Sequence, residues 1–93
     1  MYPSPAAEGF TVYTKTDCQY CAMVKELLEE QPTTYVQCDE FLADKEAFLA
    51  FIESKGASNH KTFPMVFYDG KFVGGFTDTL KVVKNLENSQ TQN

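Results

Sequence analysis

The chain has 93 residues, enough for one domain and too few for two pieces that each bury a core. Hydrophobic residues make up 43% and aromatic residues 14%, with eight Phe against four Pro and five Gly, which excludes a disordered or collagen-like body. Thirteen acidic residues against eight Lys and no Arg give a net charge of -5, so nucleic-acid backbone binding is not expected.

Phe10-Thr11-Val12-Tyr13-Thr14 is a β-branched and aromatic run that reads as a strand, and Lys15-Thr16-Asp17-Cys18 reads as the turn after it. A helix is predicted from Gln19 to about Gln31. Cys21, Val24, Leu27 and Leu28 share its apolar face, Lys25, Glu26, Glu29 and Glu30 the polar one, and Pro32 stands just beyond. Thr33 to Cys38 reads as a second strand, parallel to the first because a helix separates them in a right-handed βαβ unit. The next helix is predicted from about Ala43 to Lys55, with Phe48, Phe51 and Ile52 inward and Gly56 as the stop. A polar loop, Ala57 to Thr62, leads to Phe63-Pro64. Met65–Tyr68 and Lys71–Val73 then flank Asp69-Gly70, the strongest short hairpin signal, so these strands are antiparallel. After Gly74-Gly75, Thr77 and Asp78 are predicted to cap a last helix with Leu80, Val83 and Leu86 inward, before a fraying polar tail. The order βαβαββα describes an α/β domain, a four-stranded mixed sheet flanked by helices. It occupies residues 10–87, between a short N-terminal extension, 1–9, and the tail, 88–93.

No apolar run approaches the roughly 18 residues of a membrane span, and Met1 to Glu8 carry neither a basic region nor an apolar signal core. The expectation is a cytoplasmic protein with no membrane partner. Three Cys, one pair of them three positions apart, make a poor framework for a disulfide-stapled secreted domain and point to reactive or metal-bound thiols.

Cys18-Gln19-Tyr20-Cys21 lies where the first strand hands over to the first helix, which places Cys18 at a helix N-terminus and Cys21 one turn in. Unpaired amides and the positive end of the helix dipole lower a thiol's pKa there, from about 8.5 into roughly the 3.5 to 7.5 range. Cys18 is therefore a candidate nucleophile, and the spacing lets Cys21 reach its sulfur. Lys15 adds a positive charge. Asp17 opposes it and could compete for the same amides as an N-cap. The same CxxC fits a structural zinc half-site, with Cys38 and His60 as further ligands, although those stand singly and far apart in sequence. Cys38 reads as a small residue packed at the end of a half-buried strand, and His60 as a solvated loop residue. Pro64 fits a trans strand start or a cis bond. Gly74-Gly75 fits a simple turn, or a place where an anionic group approaches helix amides.

Lys15-Thr16-Asp17-Cys18-Gln19-Tyr20-Cys21, Lys61-Thr62-Phe63-Pro64 and Gly74-Gly75-Phe76-Thr77-Asp78, in this order and in these structural slots, resemble a glutaredoxin of the thioredoxin-like superfamily over about residues 10 to 87. The resemblance implies that Cys18 is the nucleophilic thiol and Cys21 the resolving one, with Tyr20 beside the sulfur. It implies a cis Pro64 and a backbone edge at Phe63 along which glutathione pairs like an added strand. Lys15 and Lys61 would meet the glycine-end carboxylate of glutathione. Thr77 and Asp78 would hold the γ-glutamyl end, and Thr62 and Gly75 complete the glutathione-binding set. Gln19 stands where the commonest dithiol motif has Pro. The Ala57 to Lys61 loop is longer than usual, and Phe76 is bulkier than the residue often found there. The implied function is glutathione-dependent reduction of protein disulfides and glutathione mixed disulfides, within electron transport and cell redox homeostasis. A monomer is expected, with glutathione as co-substrate, disulfide-containing or glutathionylated proteins as partners, and no metal. The alternative is a glutathione-assisted [2Fe–2S] cluster or zinc-binding module, which Gln19 leaves open.

Overall fold

The computed structural model describes residues 2–91, with side chains described as far as Asn88. Strand β1, Phe10–Thr14, lies between β2, Thr33–Gln37, and β3, Met65–Tyr68, with β4, Lys71–Gly74, outside β3. β1 and β2 are parallel, with Phe10 opposite Thr33. β1 and β3 are antiparallel, with Val12 opposite Val66, and so are β3 and β4. Helices α1, Gln19–Leu27, α2, Lys45–Ser54, and α3, Phe76–Thr91, complete the predicted order.

Every residue of β1 is buried, as a strand covered on both faces requires. Alternate side chains leave a strand on opposite sides, and the two core clusters divide accordingly. Tyr13, with Val36, Met65 and Phe67, packs against Phe48 and Ile52 of α2. Phe10, Val12 and Val66 pack against Val24 and Leu28 at α1 and Val83 of α3. Helix α2 thus covers one face, and α1 with α3 the other.

Several predicted boundaries shift, each for a local reason. Helix α1 ends at Leu27 rather than near Gln31, because residues 28–31 turn tightly, with the Gln31 amide donating to the Leu28 carbonyl at 3.0 Å. A residue before Pro is pushed out of helical geometry, and the Pro32 carbonyl then accepts from the Phe10 amide at 2.9 Å, where β1 starts. The second strand stops at Gln37, one residue before the predicted end, and Cys38 just beyond it is fully buried, packed as expected. A short 3-10 helix over Asp39–Asp44 precedes α2, which starts at Lys45 because the Asp44 carboxylate accepts from the Ala47 amide at 3.2 Å. β4 extends to Gly74, paired with Val66.

Helix α3 starts at Phe76, two residues before the predicted caps would end. Gly75 takes the cap position, its carbonyl accepting the Thr79 amide at 3.0 Å and the Thr79 hydroxyl at 2.7 Å. Thr77 and Asp78 therefore stand in the first turn. Thr79 is fully buried while Leu80 is half-buried, so the inward side runs through Phe76, Thr79, Val83 and Leu86 rather than Leu80. The predicted tail is helical as far as Thr91. Its last two residues lie outside the described residues.

The N-terminal extension packs as a strap. The Tyr2 ring lies edge-on to Phe41 at 5.0 Å and to Phe48 at 5.5 Å, and 5.1 Å from Phe51. The Tyr13 hydroxyl donates to the Pro3 carbonyl at 2.6 Å, and the Ala6 amide donates to Thr11 Oγ1 at 2.9 Å. Burial, and secondarily Cys38, raises the Tyr13 phenol well above its ordinary pKa. Tyr2→Ala removes the aromatic anchor of the strap and is expected to lower stability by about 2 kcal/mol. Urea unfolding checks this: the midpoint falls with an unchanged slope, whereas an unchanged midpoint would mean that the strap is an ornament of the fold.

Candidate active site

The active turn is built where β1 runs out. Asp17 adopts a left-handed backbone, φ 54°, a conformation Asp tolerates better than most residues. Cys18, with extended φ -126° and ψ 105°, is the N-cap of α1. Asp17 is therefore not the cap. The Cys21 amide donates to Cys18 Sγ at 3.2 Å, the bond that a capping Ser or Asp oxygen would otherwise accept. That amide, with the aligned peptide dipoles behind it, favours negative charge on Cys18 sulfur. Cys18 and Cys21 are joined as a disulfide with Cα atoms 5.2 Å apart, inside the ordinary range for such a bond. Cys18 is half-buried and Cys21 only 2% exposed, so an incoming sulfur meets Cys18 first.

A residue that the sequence did not single out holds this turn. The Asp39 carboxylate accepts from the Thr16 amide at 3.1 Å and the Thr16 hydroxyl at 2.6 Å, and from the Gln37 side-chain amide. Those donors, the Thr16 hydroxyl first, hold the Asp39 carboxyl at a pKa of about 2. The backbone adds a second tie, the Cys38 amide donating to the Thr14 carbonyl at 2.8 Å. The end of β2 is thus fastened to the segment that carries Cys18. The signal in the sequence was a lone Asp just past a strand, which has no motif of its own.

Beside the turn lies an open groove of about 260 Å³. Tyr20 of α1 lines it, as do Thr62, Phe63 and Pro64 before β3 and Gly75, Thr77 and Asp78 at the start of α3. The fold thus brings seven of the nine residues proposed for glutathione to one surface. The Phe63–Pro64 peptide bond is cis, as the resemblance implies. The Phe63 ring stacks on Phe48 at 5.9 Å, with 8° between planes, so its side chain is anchored toward α2 and its backbone is left for the groove. Phe76 also lines the groove, its ring 6.3 Å from that of the exposed Tyr20. Gly74 has φ 137°, and any side chain there would collide with the Asp78 carboxylate. Lys15 and Lys61 do not line this groove; Lys61 lines a neighbouring cavity against Glu46 and Glu53 of α2.

His60, expected to be solvated, is half-buried in the groove wall. Cys38 is fully buried, and its Sγ donates to the Val36 carbonyl at 3.3 Å. Burial pushes its thiol up to about 12. Among the described residues, no group of three or more His, Cys, Asp or Glu is arranged to hold a metal ion, and no helix is long and apolar enough to cross a membrane.

A redox-capable Cys pair at a helix N-terminus, with Tyr20 sharing a groove with a cis Phe63–Pro64 bond, defines a thioredoxin-like thiol-disulfide site. The glutaredoxin family profile matches residues 10–73. The chain is 36% identical over 81 residues to the rice chloroplastic glutaredoxin-C4, covering 85% of this chain and 59% of that one. It is 36% identical over 72 residues to a glutaredoxin of Neisseria meningitidis, covering 77% and 81%. Glutaredoxin 1 of Francisella tularensis has a similar structure, with a TM-score of 0.70 at 25% identity, covering 85% of this chain and 95% of that one. The chain belongs to the glutaredoxin family, whose members are glutathione-dependent thiol-disulfide oxidoreductases.

Two tests follow from this geometry. The folded Asp39 pKa lies below the roughly 3.9 of a free Asp, so its bonds stabilise the native state above that value and weaken as pH falls toward about 2. Asp39→Asn is expected to unfold at lower urea than the native chain at about pH 6, with the difference narrowing by about pH 3; a gap that is constant with pH would contradict this. Cys38, protonated and buried, should resist iodoacetamide at neutral pH in the reduced native protein and react only once urea unfolds it. Mass spectrometry of the labelled peptides checks this, and rapid labelling of Cys38 would refute it.

Proposed function

We propose that this chain uses glutathione to reduce protein disulfides and glutathione mixed disulfides, with Cys18 as nucleophile and Cys21 as resolving thiol. The observation that carries the reading is the unequal exposure of two disulfide-bonded cysteines at one helix N-terminus, Cys18 partly exposed and Cys21 buried behind it. In the monothiol route, Cys18 thiolate attacks the glutathione sulfur of a mixed disulfide. The Cys18–glutathione bond forms, and the substrate sulfur leaves as a thiolate that takes a proton from water. A second glutathione thiolate then attacks the bound glutathione sulfur, releasing oxidised glutathione and restoring Cys18. In the dithiol route, Cys18 attacks a protein disulfide, and Cys21 displaces the protein sulfur to close the Cys18–Cys21 bond. Two glutathiones reopen it, together supplying the electron pair.

The groove supports glutathione as the reductant. Phe63 offers a backbone edge against which an extended tripeptide can pair. Thr77 stands in the first turn of α3, where free amides attract the γ-glutamyl carboxylate, and Asp78 beside it suits the ammonium of the same group. Tyr20, Thr62, Pro64 and Gly75 line the space between. Lys15 and Lys61 lie outside that lining, and their proposed role is long-range attraction of the glycine-end carboxylate from flexible stems.

Cys18→Ser is expected to abolish all turnover, because every route starts at that sulfur. Cys21→Ser is expected to retain turnover of a small glutathione mixed disulfide and to lose reduction of a protein disulfide. Both are measured by coupling to glutathione reductase and NADPH. Equal loss in the two variants would overturn the division of roles, and an inactive native chain would overturn the function.

A further inference from the structure

The groove's two walls come from separate chain segments, which the sheet ties together only as far as one end of the β3–β4 ladder. The β3–β4 ladder ends at the pair Val66–Gly74, with an irregularity between Val66 and Phe67. Pro64 on one side and Gly75 on the other lie past that end. Both line the groove, yet no strand pairing fixes their spacing. The His60 ring occupies this gap. Its Nε2 stands 3.3 Å from the Pro64 carbonyl oxygen, and because a carbonyl can only accept, Nε2 carries the hydrogen. The ring packs edge-on against Phe72 of β4 at 5.1 Å. Its Cε1 comes within 3.6 Å of where a Cβ on Gly75 would stand. One imidazole therefore bonds the cis-Pro segment, packs on strand β4 and shares the groove wall with the turn before α3.

The loop that delivers the ring is itself braced. Ala57 is buried at 2% exposure in the α2 cluster, the His60 amide donates to the Ala57 carbonyl at 3.4 Å, and Asn59 takes a left-handed φ of 64°. These features turn the Ala57 to Lys61 loop back over the sheet edge. The loop so turned carries His60 to the groove wall.

We propose that His60 is a positioning residue for glutathione, holding the Phe63–Pro64 edge at a fixed distance from the Gly75 turn so that one tripeptide can engage both. The role rests on the proposed use of glutathione. It acts on groove shape and not on Cys18, whose sulfur is set by the α1 N-terminus. Loss of the ring should then weaken glutathione binding in ground and transition states alike, which raises KM and leaves kcat unchanged. The donor at Nε2 matters specifically, so a side chain that can still donate to the Pro64 carbonyl should restore the effect.

The experiment compares the native chain, His60→Ala and His60→Gln in steady-state reduction of a small glutathione mixed disulfide at varied glutathione, alongside the rate of Cys18 alkylation and the thermal midpoint. His60→Ala is expected to raise the KM for glutathione about tenfold with kcat within about twofold, and to leave Cys18 alkylation unchanged. His60→Gln, whose amide can reach the same carbonyl, is expected to recover most of the loss. An unchanged KM in His60→Ala overturns the role. So does a His60→Gln variant no better than Ala, or a loss shared equally by KM, kcat and alkylation, which marks general damage to the fold. A native chain with no glutathione turnover removes the proposed function and this role together, whereas an active native chain with an indifferent His60→Ala removes the role alone.

Discussion

Strand β1 must satisfy both faces and both edges at once, and the site depends on that constraint. Its side chains are buried among α2 on one side and α1 with α3 on the other, while β2 and β3 take up its two edges. A strand so enclosed has no freedom to slide, since a shift of one residue would carry every side chain to the wrong face. The chain can leave this frame only at its end, after Thr14. That is where the Cys18 turn forms, and its bonds to Cys38 and Asp39 transmit the register of β2 directly to the active turn. Cys18 is thus placed by the most buried part of the molecule, although it is itself partly exposed.

The same logic explains what the sequence disclosed. The run Phe10 to Thr14, the face shared by Val24 and Leu28, and Asp69-Gly70 between two apolar strands each follow from one local period or one turn chemistry, so they could be read without knowing any partner. The candidate site residues came from three motifs in register, and seven of the nine proposed for glutathione line one groove. What stayed hidden depends on contacts distant in sequence. Tyr2 looks like an extension residue until Phe41, Phe48 and Phe51 are seen around it. Thr79 reads as a polar helix position, yet it can be buried because its hydroxyl is satisfied within the helix by the Gly75 carbonyl. Asp39 and His60 carry no spacing signal, since each acts on a segment that only the fold brings near. The 3-10 helix at Asp39–Asp44 is too short to show a period.

Two different devices hold the two ends of the groove. At the α1 end, backbone geometry dominates: a helix N-terminus and a left-handed Asp17 set the sulfur, and a charged acceptor, Asp39, locks the turn. At the far end, side chains substitute for missing strand pairing, with Phe63 stacked on Phe48 and His60 spanning from Pro64 to Phe72. Asp78 and Gly74 form a third fixed point, because only a residue without a side chain leaves room for that carboxylate. The Phe63 backbone, the start of α3 and the Asp78 carboxylate thereby line one groove.

Three thiols in one small chain receive three environments, and the differences among them set the chemistry. Cys18 is half-exposed and faces an amide, which favours the thiolate that attacks. Cys21 is one helical turn behind, buried yet bonded to Cys18, so it can act only on a sulfur already held there. Cys38 is buried on the opposite face of the sheet, among the α2 cluster, with its S–H donating a hydrogen bond to the Val36 carbonyl and its pKa pushed up to about 12. Thiol exchange requires a thiolate and access. Cys18 is placed for both and Cys38 for neither, which keeps the third thiol apart from the Cys18–Cys21 pair.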